Sequence, residues 1–178
     1  MERTLRVSAG GITFHEDRVL LVTYDDSPSG RCLVGPGGGV LDGERIDQAV
    51  VREVREETAL EVDPARILIV EDLLTSQQRT IKVWFLCHLT GGELRDTREA
   101  REEGITGVGW YSRDDLRDRT VYPSPILGHN WSDFFRVDWQ TEYIEAEWTA
   151  RTMPGSADLS QTMPAWCIPA AAIFASMM

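Results

Sequence analysis

The feature that most limits how this chain can fold is a helix with acids where it should be apolar. Residues 46 to 58, Ile-Asp-Gln-Ala-Val-Val-Arg-Glu-Val-Arg-Glu-Glu-Thr, give the strongest helical signal in the sequence. At about 100° per residue, Ile46, Val50 and Val54 form an apolar stripe within about 40° either side of Val50. Glu57 falls inside that arc, roughly 20° from its centre, and Glu53 stands just outside it at roughly 60°. An ionised carboxylate turned toward a protein interior needs a cation, hydrogen bonds or a raised pKa. The fold must therefore bring a partner to this helix.

Arg52 and Glu56 are four residues apart, so Arg52 can pair with Glu56 and hold it in place. One arginine does not neutralise three acids. Glu53, Glu56 and Glu57 form a carboxylate cluster with no histidine or cysteine beside it. An all-oxygen donor set selects a hard cation, magnesium or manganese, over zinc. Magnesium keeps several waters and takes further ligands from substrate phosphates, so the implied substrate is a phosphate ester or anhydride. Just upstream, Gly35-Pro36-Gly37-Gly38-Gly39 is read as a loop excluded from regular structure, whose bare backbone can approach metal and phosphate closely.

The rest of the chain supplies a layered domain around that helix. Leu5 to Tyr24 reads as two strands joined at His15-Glu16-Asp17, and the continuous run Val19 to Val22 predicts a strand buried on both faces. A polar loop from Asp25 to Gly30 precedes a short apolar piece, Cys32 to Val34. Further strands are predicted over Arg66 to Leu74, Thr80 to Leu89 and Ile105 to Tyr111, with Val83, Phe85, Cys87 and Leu89 sharing one face. Ser112 to Leu116 predicts a short capped helix, and the aromatic segment Trp131 to Trp148 a longer one. Strands interleaved with one central and a few peripheral helices define an α/β (α+β) layered class. Residues 1–145 form the expected domain, and 146–178 a C-terminal tail, docked or partly disordered.

Composition narrows the function. Asp and Glu number 29 against 18 Lys and Arg, a formal charge of −11, which excludes a general binder of nucleic acid polymers. Cys32, Cys87 and Cys167 are odd in number and far apart, so neither disulfide framework nor zinc knuckle is indicated. The expected compartment is cytoplasmic, with no membrane partner, since no run approaches the ~18 apolar residues of a span. His15, His88 and His129 belong to no ligand pattern. The aromatic segment suits core packing or a homodimer interface better than base stacking.

Gly38, Glu44, Arg52, Glu53, Val54, Glu56, Glu57 and Leu60 together resemble the Nudix box, G-x5-E-x7-R-E-U-x-E-E-x-G-U with U aliphatic. A chance match of its six single-residue requirements is on the order of one in ten million at a given start. One position departs: Ala59 stands where the family has glycine. In a left-handed conformation, alanine there costs about 1 kcal/mol relative to glycine.

The resemblance implies a Nudix-like α/β/α sandwich with a mixed sheet, and Mg2+-dependent hydrolysis (Mn2+ as a substitute) of a nucleoside diphosphate linked to another moiety. That substrate is a small molecule: a nucleoside triphosphate, a damaged nucleotide or a nucleotide sugar. It further implies that Glu53, Glu56 and Glu57 bind metal and that either Glu53 or Glu56 orients or deprotonates the attacking water. Arg52 would hold the acids, Glu44 would tie the loop to the helix, and the Gly38 carbonyl would serve as a ligand. Family members recruit another acid before a late strand, where Glu103 is chosen over Glu99 and Glu102. They also contact substrate from the strand after the box, which points to Arg79 and Lys82 alongside Gly37, Gly38 and Gly39. Ser76 and Gln77 stand where proline and tyrosine would mark ADP-ribose and dinucleoside polyphosphate specificity. The alternative to an enzyme is a non-catalytic nucleotide sensor on the same fold, which eroded acids would favour.

Overall fold

A computed structural model describes residues 3–25, 31–75 and 78–147. Among these, nine strands join in one mixed sheet: β1 (Thr4–His15), β2 (Arg18–Tyr24), β3 (Cys32–Val34), β4 (Gly37–Gly39), β5 (Leu60–Leu74), β6 (Gln78–Gly92), β7 (Gly107–Tyr111), β8 (Thr120–Tyr122) and β9 (Glu142–Glu147). Three helices accompany them, α1 (Ile46–Thr58), α2 (Arg98–Glu102) and α3 (Pro125–Gly128). The order β8-β3-β2-β1-β6-β5-β9 has β4 added to β1 and β7 to β2. The β1–β6, β5–β9 and β3–β8 pairs are parallel and the others antiparallel.

Strand β1 organises the site because it serves two neighbours along one edge. Its end pairs with β2 around the predicted turn, where Glu16 and Asp17 both take positive φ, as a two-residue hairpin requires. Its middle, Ser8 to Gly10, pairs with β4. The glycine run is thus a strand where a loop is expected. Strand pairing uses backbone N–H and C=O groups alone, and a side chain at Gly37 would collide with the β1 backbone, its Cβ only 2.4 Å from the Ala9 oxygen.

Two cores lie on opposite faces of the sheet, giving the expected α/β/α layering. On one face α1 contributes Ala49, Val50 and Val54, packed with Ala9, Leu20, Leu60, Val62 and Cys87. Gly11 permits that approach, since a Cβ there would lie 2.9 Å from Val54 Cγ2. On the other face Ile12, Leu21, Ile69, Trp84 and Leu86 meet Ile126, Trp131 and Phe134. Val19 to Val22 divides between the two cores and is wholly buried, as its continuous apolar run predicts.

Other differences from the sequence reading have local causes. The described part of the segment predicted as a helix from Trp131 to Trp148, residues 131–147, does not form one: Trp131–Phe135 is one 3-10 turn, and β9 takes Glu142 to Glu147. Pairing of β9 with β5 overrides the helical spacing of the aromatic residues. Ser112 and Asp115 cap each other's backbone N–H, but the helix they start is a single 3-10 turn over Asp114–Leu116. The loop from 26 to 30, the marker positions 76 and 77 and the tail from 148 lie outside the described residues.

Helix α1 ends at Thr58 as predicted, and Ala59 is left-handed at φ 61 and ψ 13. Its N–H still closes the helix on the Arg55 carbonyl at 2.9 Å. Ala59→Gly is therefore expected to raise unfolding free energy by ~0.5–1 kcal/mol, with the denaturant slope unchanged. Urea titration of both proteins checks this; a loss of stability would refute it.

Candidate active site

The C-terminal half of α1 points its acids at β4. Glu57 is fully buried, and its Oε2 accepts a hydrogen bond from the Gly37 N–H at 3.0 Å. Glu53 lies against Gly38 so closely that a Cβ there would be 2.5 Å from its Oε1. Glu103 follows the short helix α2, which Thr97 caps through a bond from the Ala100 N–H. Glu53, Glu57 and Glu103 each bring one carboxylate oxygen within 4.8 Å of the others. Glu53 Oε2 and Glu57 Oε1 are buried with no hydrogen-bond partner among the described residues. Buried acceptors of this kind need a donor or a cation.

Arg52 binds the surrounding parts into one unit. Its Nε and Nη2 donate to the two oxygens of Glu44, each at 2.9 Å. Nη1 donates to Glu53 at 2.7 Å and to Glu56 at 3.1 Å. Nη2 also donates to the Gly39 carbonyl at 2.9 Å. All five donors of the guanidinium are engaged. Glu44 additionally accepts from the Leu41 N–H at 3.0 Å, so it ties the loop to the helix. Its pKa is lowered, chiefly by the Arg52 hydrogen bonds.

The carboxylates of the cluster behave in the opposite way. Burial lifts Glu53 to about 6, against the pull of Arg52 and helped by the charges of Glu103 and Glu56. Burial, then Glu53 and Glu103, raise Glu57 well above the ordinary range, with Lys82 opposing. Burial, then Glu56, raise Glu103, with Arg52 and Arg6 opposing. Mutual repulsion of desolvated acids is what a bound divalent cation relieves. The oxygen-only donor set suits magnesium or manganese.

The other expected residues divide. Glu56 stays at the rim, a third of its side chain exposed. Lys82 is buried on β6, its Nζ 4.2 Å from the Trp84 ring centroid, and Trp84 Nε1 donates to buried Glu71 at 2.6 Å. Arg79 is not brought to the carboxylates; its Nε donates to Asp72 at 2.8 Å, and the Tyr143 hydroxyl donates to the same carboxylate. Of the neighbouring acids, Glu102 pairs with exposed Arg98 and Glu99 faces solvent. Two residues near the site escape sequence reasoning, Arg6 and Tyr24. Buried Tyr24 feels the charges of Glu57, Glu103 and Glu53, yet only the folded sheet brings β2 to α1.

The sequence profile of the NUDIX domain matches residues 4–127. Human 8-oxo-dGDP phosphatase is 33% identical over 115 residues, 65% of this chain and 32% of the relative. The ADP-ribose pyrophosphatase of Methanocaldococcus jannaschii is 34% identical over 98 residues, 54% of this chain and 58% of that one. The chain thus spans about a third and somewhat over half of these two relatives. The crystal structure of a MutT NUDIX hydrolase from Burkholderia pseudomallei superposes with a TM-score of 0.60 at 27% identity, covering 70% of this chain and 96% of that chain. With the profile matching more than half its length, the chain belongs to the Nudix family.

The raised carboxylates set the sign of a pH effect on stability. Folded Glu53 holds its proton to about 6 whereas the unfolded side chain releases it near 4.5, so this group favours the folded state at low pH. That advantage, about 2 kcal/mol, is lost as pH rises through 6; Glu57 and Glu103 act in the same direction. In EDTA the melting temperature is expected to fall between pH 5.5 and pH 8, and Glu57→Gln to raise it at pH 8. A flat profile for the unsubstituted protein would count against this.

Proposed function

We propose that the chain is a divalent-metal-dependent pyrophosphohydrolase, using Mg2+ or Mn2+, that cleaves the diphosphate of a nucleoside diphosphate linked to another moiety. The observation carrying this reading is the convergence of Glu53, Glu57 and Glu103, with two buried oxygens lacking any hydrogen-bond donor. Nucleoside triphosphates, damaged nucleotides and nucleotide sugars share the required anhydride. The relatives named 8-oxo-dGDP phosphatase and ADP-ribose pyrophosphatase support that substrate class.

In this reading Glu53, Glu57 and Glu103 hold the cations, with Glu56 at the rim and the Gly38 carbonyl adding donors. When bound, the metal would draw charge from the phosphoryl oxygens and acidify water. The protein contributes position. Arg52 and Glu44 fix the helix and the glycine strand relative to each other, and the Gly37 N–H sets the rotamer of Glu57. Glu56 is the better placed of the two candidate bases: its carboxylate reaches solvent and is steered by Arg52, whereas Glu53 is committed to the buried cluster. Water attacks one phosphorus, the anhydride P–O bond breaks, and two phosphorylated products leave. Lys82 adds positive potential from beneath, and Gly37 to Gly39 let phosphate approach the backbone.

The reading is tested by measuring phosphorylated products over a panel of nucleoside diphosphate derivatives with Mg2+, repeated on Glu57→Gln. The variant is expected to fold and to lose at least ~100-fold in kcat, about 2.7 kcal/mol of transition-state stabilisation. Equal rates would place the activity elsewhere on the protein. No turnover across the panel would favour the nucleotide-sensing alternative.

A further inference from the structure

Helix α1 covers only part of its face of the sheet. Gly11 lies under Val50 and Val54, so alternation along β1 turns Ala9, Val7 and Leu5 to the helix side. The unbroken register with β6 sets Val83 beside Ala9 and Ile81 beside Val7, and β5 adds Val70 next to Val83. Tyr143 of β9 completes that row beside Val70. Ala9 and Val83 are buried, but cover fails beyond them: Val7 is 37% exposed, Tyr143 56% and Leu5 69%, with Ile81 and Val70 half-buried. An apolar strip thus crosses four strands. The ion pair set within it is satisfied locally, since Arg79 donates to Asp72 and so does the Tyr143 hydroxyl.

A contiguous exposed apolar face marks a binding surface, and the chain carries an occupant that starts beside it. One row of paired residues runs Leu5, Arg79, Leu74, Glu147 across β1, β6, β5 and β9. Residue 148 therefore leaves from the same end of the sheet as Leu5. Crossing from β9 to β1 takes three strand spacings, about 14 Å, which about five extended residues span. Residues 148–178 have only Arg151 and Asp158 as charged side chains, and those cancel, whereas Trp166, Ile168, Ile173 and Phe174 stand close together near the end. The formal charge of −11 thus falls wholly on residues 1–147. A second copy meeting the strip would bring like charge to a face that already exposes Glu145, and the neutral tail brings none.

We propose that the tail docks in cis on this strip, seating the run from Trp166 to Phe174 over Leu5, Val7, Ile81, Val70 and Tyr143. Docking takes the strip out of water, and the half of the face that α1 leaves open gains its cover. The assignment is independent of the pyrophosphohydrolase reading, because an enzyme and a nucleotide sensor would present the same surface.

Cys167 falls inside the docking run and supplies the readout, since Cys32 and Cys87 are buried. The reduced full chain is labelled with an aromatic disulfide reagent, and the rate at Cys167, located by peptide mapping, is compared with that of the urea-unfolded chain. Docking is expected to slow Cys167 by at least ~10-fold. Leu5→Asp and Val7→Asp, at exposed positions of the strip, are expected to restore most of that rate, and melting curves establish that both fold. Phe174→Asp, made in the tail itself, gives the same release without altering the sheet. Leu127→Asp, at an exposed position on α3, leaves the protection in place. A folded chain whose Cys167 reacts as fast as in urea overturns the proposal, and so does protection that survives Leu5→Asp and Val7→Asp. Protection that grows with protein concentration, alongside a dimer in sedimentation, assigns the strip to a second copy and overturns docking in cis.

Discussion

The Arg52 guanidinium is the joint on which the site depends. Its bonds connect the loop through Glu44, the glycine strand through the Gly39 carbonyl, and the helix through Glu53 and Glu56. Without it, the acids at 53, 56 and 57 would repel one another with no cation of the helix itself between them. The arrangement compensates only part of the negative charge: Arg52 satisfies one oxygen of Glu53 and leaves the other buried and bare. An arginine saturated in this way acts as a structural cation.

Helix geometry adds to the imbalance. Glu53, Glu56 and Glu57 occupy the C-terminal half of α1, where unpaired carbonyls make the helix end attractive to cations and unfavourable for carboxylates. Arg55 in the last turn partly offsets this. Burial, mutual repulsion and the helix dipole therefore act together, and each is relieved by a positive ion at the same place. The left-handed Ala59 adds backbone strain at the point where the chain turns from α1 into β5.

Much of this was readable from local periodicity. The helical pitch alone places Glu57 on the buried stripe and Glu53 beside it, and the structure keeps α1 at residues 46 to 58 with both side chains buried. Glu103, which the family resemblance rather than any periodicity picks from three acids before a late strand, meets the cluster because Thr97 starts α2 and brings its end there. What escaped depends on register between distant strands. Nothing near Arg6 in the chain announces that β1 will pair with β4 at Ser8 and Gly39, and nothing near Tyr24 places it by the acids. The glycine strand is invisible to propensity for a related reason: it is specified by the backbone of β1, whereas propensity reads side chains. The aromatic segment failed because its spacing fits a helix, while β5 offers β9 a sheet edge that no local pattern encodes.

The two cores explain how a strained site is tolerated. One packs α1 onto the sheet through Val50 and Val54, directly beneath the acids, and the other closes the opposite face through Trp84, Trp131 and Phe134. Burial of large apolar side chains yields about 1.5–3 kcal/mol each, so a few of them outweigh the roughly 2 kcal/mol associated with one raised carboxylate. Packing can thus hold the carboxylates in place by itself, so an ion binding there would not have to organise the fold. A preformed site keeps more of the ion's binding energy available for affinity, because little is consumed in ordering side chains. The same rigidity explains the glycines at 11, 37 and 38: each allows a helix, a strand or a carboxylate to sit closer than a side chain would permit. A change there would loosen the site even if every acid remained.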